Sequence, residues 1–153
     1  NNNNYNNNKN KDNKMMNAQE YLLNWCLENL SGYDAVRVKD FGSSWRDGKA
    51  FLAILNRHRP QRISFLDSFH RTSKENLQIA FDFAEKEFGI LKLLEPIDVD
   101  CDRPDEKSIM TYVSMLCQQL PPNVPPHPDQ LKLEQSKRLM LDEFSHISRG
   151  LMR

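Results

Sequence analysis

Glycine is scarce, with only 5 in 153 residues, and none builds a phosphate-cradling loop or a G-x-S-x-G nucleophile elbow. Nucleotide-dependent and serine-hydrolase chemistry therefore have no visible framework. The 3 cysteines, Cys26, Cys101 and Cys117, are an odd number without C-x-x-C spacing. Neither a disulfide frame nor a zinc site is indicated, and a reduced cytosolic chain is expected. The histidines, His58, His70, His127 and His146, lack metal-site spacing. Net charge is missing too: 21 basic and 21 acidic residues cancel, which removes the cationic excess of a duplex nucleic-acid binder. No apolar run approaches the ~20 residues a bilayer needs, and no signal-peptide core opens the chain, so a transmembrane role in this region is not expected.

What remains suits one domain with one core, plus length left over. At 39% hydrophobic the composition is low for a chain packed throughout, and the ends are the poorest parts. Residues 1–16 open with NNNNYNNNKNKDNK and read as a disordered linker or tail, because burial cannot offset their ordering entropy. Residues 17–121 read as the folded domain. Residues 122–153 read as a proline-rich spacer followed by a helix.

Within the domain, four helices are predicted. The first starts at an Asn17/Glu20 capping box, buries Leu22, Leu23, Cys26, Leu27 and Leu30, and ends at Gly32, with Trp25 at the edge of its stripe. The central one runs from Ser43 to Pro60, capped by Ser44 with Asp47, stopped by Pro60, and carrying Trp45, Leu52 and Leu55 inward. Gly48 marks a place where a neighbouring backbone comes close. A third starts at a Thr72/Glu75 capping box, buries Leu77 and Phe81, and closes at Gly89; the run Ile90–Leu94 after it is expected to be buried. The fourth takes Pro104 as its first residue and turns Ile109, Val113 and Leu116 inward. Trp45, Leu52, Leu55, Leu77, Phe81, Ile109, Val113 and Leu116 are thus the expected core.

Asp98, Asp100 and Asp102 begin a D-x-D-x-D pattern, but Arg103 stands where a calcium loop needs glycine and Ile109 where it needs a bidentate glutamate. They read as turn-formers, and no metal or cofactor is expected. Arg57, Arg59 and Arg62 cluster around His58 as a solvated helix end or as a patch for an acidic protein or a phosphoinositide headgroup. Beyond Pro121, Leu133, Met140, Phe144, Ile147 and Leu151 recur in alternating three- and four-residue steps with Lys137 in the one polar slot. A helix docked on the domain and the start of a coiled coil both fit that spacing.

Several of these stretches, taken in order, resemble a calponin-homology domain: Asn24-Trp25-Cys26, Val38-Lys39-Asp40-Phe41, Ser44 to Phe51, Arg57-His58-Arg59-Pro60, Glu75-Asn76-Leu77, Leu93-Leu94-Glu95-Pro96 and Pro104 to Val113. The last of them is most similar to the second member of the paired domains that open spectrin, alpha-actinin, dystrophin, plakin and nesprin-type proteins. The resemblance implies an all-α fold of four main helices with short connecting ones, no enzymatic activity, and filamentous actin and a neighbouring domain of the same kind as partners. It implies a cytoplasmic, cytoskeletal location, with the parent protein at the nuclear envelope, a junction or the cell cortex. It carries the actin-contacting role onto the first helix, at Gln19, Glu20, Asn24 and Glu28. Similarity to the phosphoinositide-responsive site of alpha-actinin points to Trp45, Lys49, Arg57 and Arg59, with Arg62 beside them. Two departures from the family pattern stand out: Ile90-Leu91-Lys92 replaces an isoleucine-proline pair, and Gln61 to Phe65 replaces an acidic run.

Overall fold

The structure is a computed structural model that describes the backbone of residues 5–151 and the side chains of residues 18–151. Among them the order is α1 (Tyr5–Leu30), a 3-10 turn (Ser43–Trp45), α2 (Lys49–His58), a second 3-10 turn (Leu66–His70), α3 (Ser73–Phe88), the short α4 (Pro96–Val99), α5 (Glu106–Gln119) and α6 (Pro128–Leu151), with no strand. The fold is all-α. The central helix α2 is walled by α1 and α3, and α5 packs on α1 and reaches Phe51 of α2 and Phe81 of α3 through Tyr112.

The core forms around α2 because five consecutive residues of it, Phe51 to Leu55, are almost fully buried, as are Trp45, Leu77, Phe81, Ile109, Val113 and Leu116. A chain of aromatic contacts threads these elements. Phe41 stacks on Trp45, Trp45 lies 4.6 Å from Phe51, and Phe51 meets both Phe81 and Tyr112 edge to face at 5.4 and 5.6 Å. Such pairs contribute about 0.5–1.5 kcal/mol each beyond area burial. The Trp45 indole nitrogen also donates to the Asp40 carbonyl at 2.9 Å, so its one polar atom is satisfied inside the core.

The helix starts show where sequence signals compete. α3 begins as expected: the Thr72 hydroxyl accepts from the Glu75 amide and the Glu75 carboxylate accepts from the Thr72 amide, while Gly89 closes the helix at φ 68°. The expected Ser44/Asp47 capping box at α2 does not form. Gly48 sits at φ 76°, a left-handed conformation that interrupts any helix running through it, and α2 begins only at Lys49. Ser44 instead accepts from the Lys39 amide, and Asp47 accepts from the Lys49 amide. A Cβ on Gly48 would lie 2.9 Å from the Leu77 backbone nitrogen, so α3 does approach there. At α5 the Asp105 carboxylate accepts from the Ser108 amide, and this side-chain cap moves the start two residues past Pro104.

Four further expectations change. The Asn17/Glu20 pair lies inside α1, whose backbone continues as helix to Tyr5. Leu27 is 47% exposed, not part of the inward stripe. Of the run 90–94, only Ile90 and Leu94 are buried, while Leu91 and Leu93 face outward. The segment 121–127 is tied to the domain at two points, described below.

Candidate functional site

Gln19, Glu20, Asn24 and Glu28 are all exposed on α1. At about 100° per residue, Glu20, Asn24 and Glu28 share one face with Tyr21 and Leu27, which are 68% and 47% exposed. Gln19 falls instead on the side of Leu22 and Cys26, one turn above them, where its amide reaches the Met110 sulfur of α5 at 3.9 Å. Tyr21 and Leu27 are the residues of this face that sequence reasoning missed. Both lie well off the arc of Leu22, Cys26, Asn29 and Leu30, and that angular offset is the signal that could have found them. No lysine or arginine occurs in residues 18–30, so this face has no cationic attraction of its own.

The basic group does not assemble into a patch. Arg57 is buried, and its guanidinium donates to backbone carbonyls of Asn29 (3.1 Å), Ser31 and Pro125 (2.8 Å). It is a structural brace across α1, α2 and the segment after α5, and it leaves the list of surface contacts. Trp45 leaves it as well, being fully enclosed in the core. Arg59 and Arg62 both pair with Glu87, each at 3.1 Å, and Arg59 also lies over the Phe88 ring. One carboxylate thereby offsets one of the two positive charges of Arg59 and Arg62. Lys49 stands at the other end of α2, about 15 Å away along the axis, with its ammonium 4.6 Å above Phe69.

His58 is buried between these arginines and bonds to the Asn29 side-chain oxygen at 2.6 Å. Desolvation by burial, with Arg59 and Arg57 adding positive charge, lowers its pKa to about 4. The imidazole is therefore neutral near pH 7 and donates to Asn29, whose amide in turn donates to the Trp25 carbonyl.

The acidic triplet does local work. Asp98 accepts from the Glu95 amide at 2.8 Å and Asp102 lies 3.9 Å from Arg46. No group of three metal-ligating side chains occurs among the described residues. An open groove of about 950 Å³ runs between the 60–71 loop and the base of α6, but Asp34, Asp67 and Asp129 offset Arg62, Arg71 and Lys132 in its lining. It therefore selects no ligand by charge.

Comparison with known proteins bears on these surfaces. The chain matches the calponin homology (CH) domain over residues 16–121. It is 52% identical over 103 residues to nesprin-2 of Homo sapiens, which covers 67% of this chain and 2% of that protein. It is 50% identical over 101 residues to alpha-actinin A of Dictyostelium discoideum, covering 65% of this chain and 12% of that protein. It is 48% identical over 96 residues to the erythrocytic spectrin beta chain of Mus musculus, covering 63% of this chain and 4% of that protein. The chain thus spans a small fraction of the length of each of these relatives. With more than half of its residues inside the matched region, it belongs to the calponin homology (CH) domain family.

Proposed function

We propose that this chain is a non-enzymatic actin-binding module of the cytoskeleton, the second member of a tandem pair, weak on filaments alone and tuning the affinity of its sibling domain. Its similarity to nesprin-2, alpha-actinin and spectrin supports the module. The observation that carries the subordinate role is the outward face of α1, where Glu20 and Glu28 flank Tyr21, Asn24 and Leu27 without a cation. Such a face gains nothing from long-range attraction to an acidic filament, and contact through it depends on short-range burial of Tyr21 and Leu27. The Asn-rich residues 1–14 then act as the tether to the sibling domain.

Cosedimentation with actin filaments tests the reading. Partial pelleting that does not saturate below tens of micromolar protein is expected of such a weak interface. Saturation at low micromolar protein overturns the assignment to the second member. Binding of an acidic protein or a phosphoinositide headgroup is the weaker proposal, since only Arg59, Arg62 and Lys49 of the expected set are surface cations and the first two share Glu87.

A further inference from the structure

The segment that joins α3 to α4 turns apolar side chains toward water. Leu91, Leu93 and Ile97 are 63%, 54% and 69% exposed. Backbone alternation fixes the direction of the first two: Ile90 and Leu94 are enclosed in the core, so Leu91 and Leu93 point the other way. The Leu93 amide donates to the Leu91 carbonyl at 2.9 Å, which draws the pair together. In α4, Pro96 and Val99 are buried and leave Ile97 outside. Four positions separate Ile97 from Leu93, no more than about 14 Å of chain, so the three side chains share one surface.

Polar bonds hold this segment and place charge around it. The Lys92 ammonium pairs with the carboxylates of Asp82 and Glu85 on α3, the second at 3.7 Å. At α4 the Asp98 carboxylate accepts from the Glu95 amide and the Glu95 carboxylate from the Asp98 amide. A surface fixed in this way loses little freedom when something docks on it. Asp82 and Glu85 therefore border the patch on the α3 side, and Glu95, Asp98 and Asp100 border it at α4, all five exposed. Only Lys86 and Lys92 oppose them in this stretch, and Lys92 is already shared by two carboxylates. Among the described residues, Glu95, Asp98 and Asp100 have no salt-bridge partner.

We propose that Leu91, Leu93 and Ile97 form a docking surface for a cationic amphipathic helix of a partner protein, with its apolar face on these side chains and its flanking lysines or arginines against the acidic border. Charge selects this occupant. A second copy of the chain, paired across a twofold axis, would bring the same five carboxylates against these five. An acidic filament or an anionic lipid surface would meet the same repulsion. A small cation would answer the carboxylates and leave the apolar side chains in water. A basic helix with an apolar stripe gains from both. Its size fits as well: Leu91 to Ile97 spans at most about 20 Å, and three helical turns, which present residues i, i+3 or i+4, and i+7 on one side, are about 16 Å long. The surface shares no residue with the outward face of α1.

Calorimetric titration of the whole 153-residue chain with a designed leucine-lysine peptide of about 18 residues, its leucines on one helical face, tests this. One peptide should bind per chain at roughly 10–100 µM in 50 mM salt, as suits a small interface, and at least about fivefold more weakly in 300 mM salt, which screens the border. Leu93→Ser combined with Ile97→Ser should weaken binding at least about tenfold, and Asp100→Lys at least about threefold. Both variants should keep the circular dichroism spectrum, because the replaced side chains are exposed. Leu66→Ser, at a residue 74% exposed elsewhere, should bind as the parent chain does, which separates docking from general stickiness. Absence of binding, equal affinity for a peptide of the same composition with its leucines scattered around the helix, or full affinity of the Leu93/Ile97 double variant would each overturn the proposal. So would two results that name another occupant: amide shifts at residues 91–97 on concentrating the chain alone, which point to a second copy, or lost cosedimentation of the double variant with actin, which points to the filament.

Discussion

His58 couples folding to pH chiefly through burial, with the positive charge of Arg59 and Arg57 acting in the same direction. Its folded pKa of about 4 lies below the ~6.5 of an exposed histidine, so the unfolded chain binds the proton more readily. Stability from the neutral, buried ring is fully present above pH 6.5 and falls as the pH drops toward 4. Between pH 7 and pH 5 the loss should be about 2 kcal/mol, above the range where carboxylates add their own dependence. Urea titrations at the two pH values measure it, and His58→Gln should flatten the difference. Two neighbours of the core make sharper structural demands. Trp45→Ala should cost on the order of 3–5 kcal/mol, because the aromatic chain loses its link and the Asp40 carbonyl its donor. Gly48→Ala meets both a left-handed backbone and the α3 main chain at 2.9 Å, so it should destabilise by more than the ~1 kcal/mol of an ordinary glycine replacement. Thermal melts of both variants check these values.

At the scale of elements, legibility followed how local the deciding interactions are. α3 could be read from end to end because Thr72, Glu75 and Gly89 act on their own neighbours. Thr72→Ala should accordingly cost about 1 kcal/mol, seen as a lowered denaturation midpoint. The start of α2 could not be read, since Ser44 and Asp47 have the composition of a capping box while Gly48 has the conformation that forbids one. Arg57 was the hardest residue. Its partners are carbonyls 26, 28 and 68 residues away, and a backbone carbonyl has no residue type to announce it. In sequence it belongs with Arg59 and Arg62, whereas in the fold the three divide between a buried brace and two surface cations held by Glu87. The α1 face lay between these cases: periodicity assigns Glu20, Asn24 and Glu28 outward together with Leu27, while it puts Gln19 on the side of Leu22 and Cys26.

For the molecule as a whole, the question is which part of the length after α5 belongs to the domain. The segment 121–127 is bound to it by the Arg57 bond to Pro125 and by His127, whose ring packs on Tyr33 and lies where a Cβ on Gly32 would come within 2.7 Å. α6 buries nothing. Two truncations separate these roles. Ending the chain after His127 removes a helix that has no fully buried residue and touches the domain only through the groove wall at its base, and the unfolding free energy should stay within about 0.5 kcal/mol of the full chain. Ending it after Pro121 removes one of the three carbonyls that the buried guanidinium donates to and the cover from Tyr33, and losing one hydrogen bond to a charged group should cost about 1.5–3 kcal/mol. Guanidinium titrations of the three lengths give the comparison. If the chain ending at 121 is as stable as the one ending at 127, Arg57 draws no stability from the segment beyond α5, and its bond to Pro125 only sets the direction in which α6 leaves the domain.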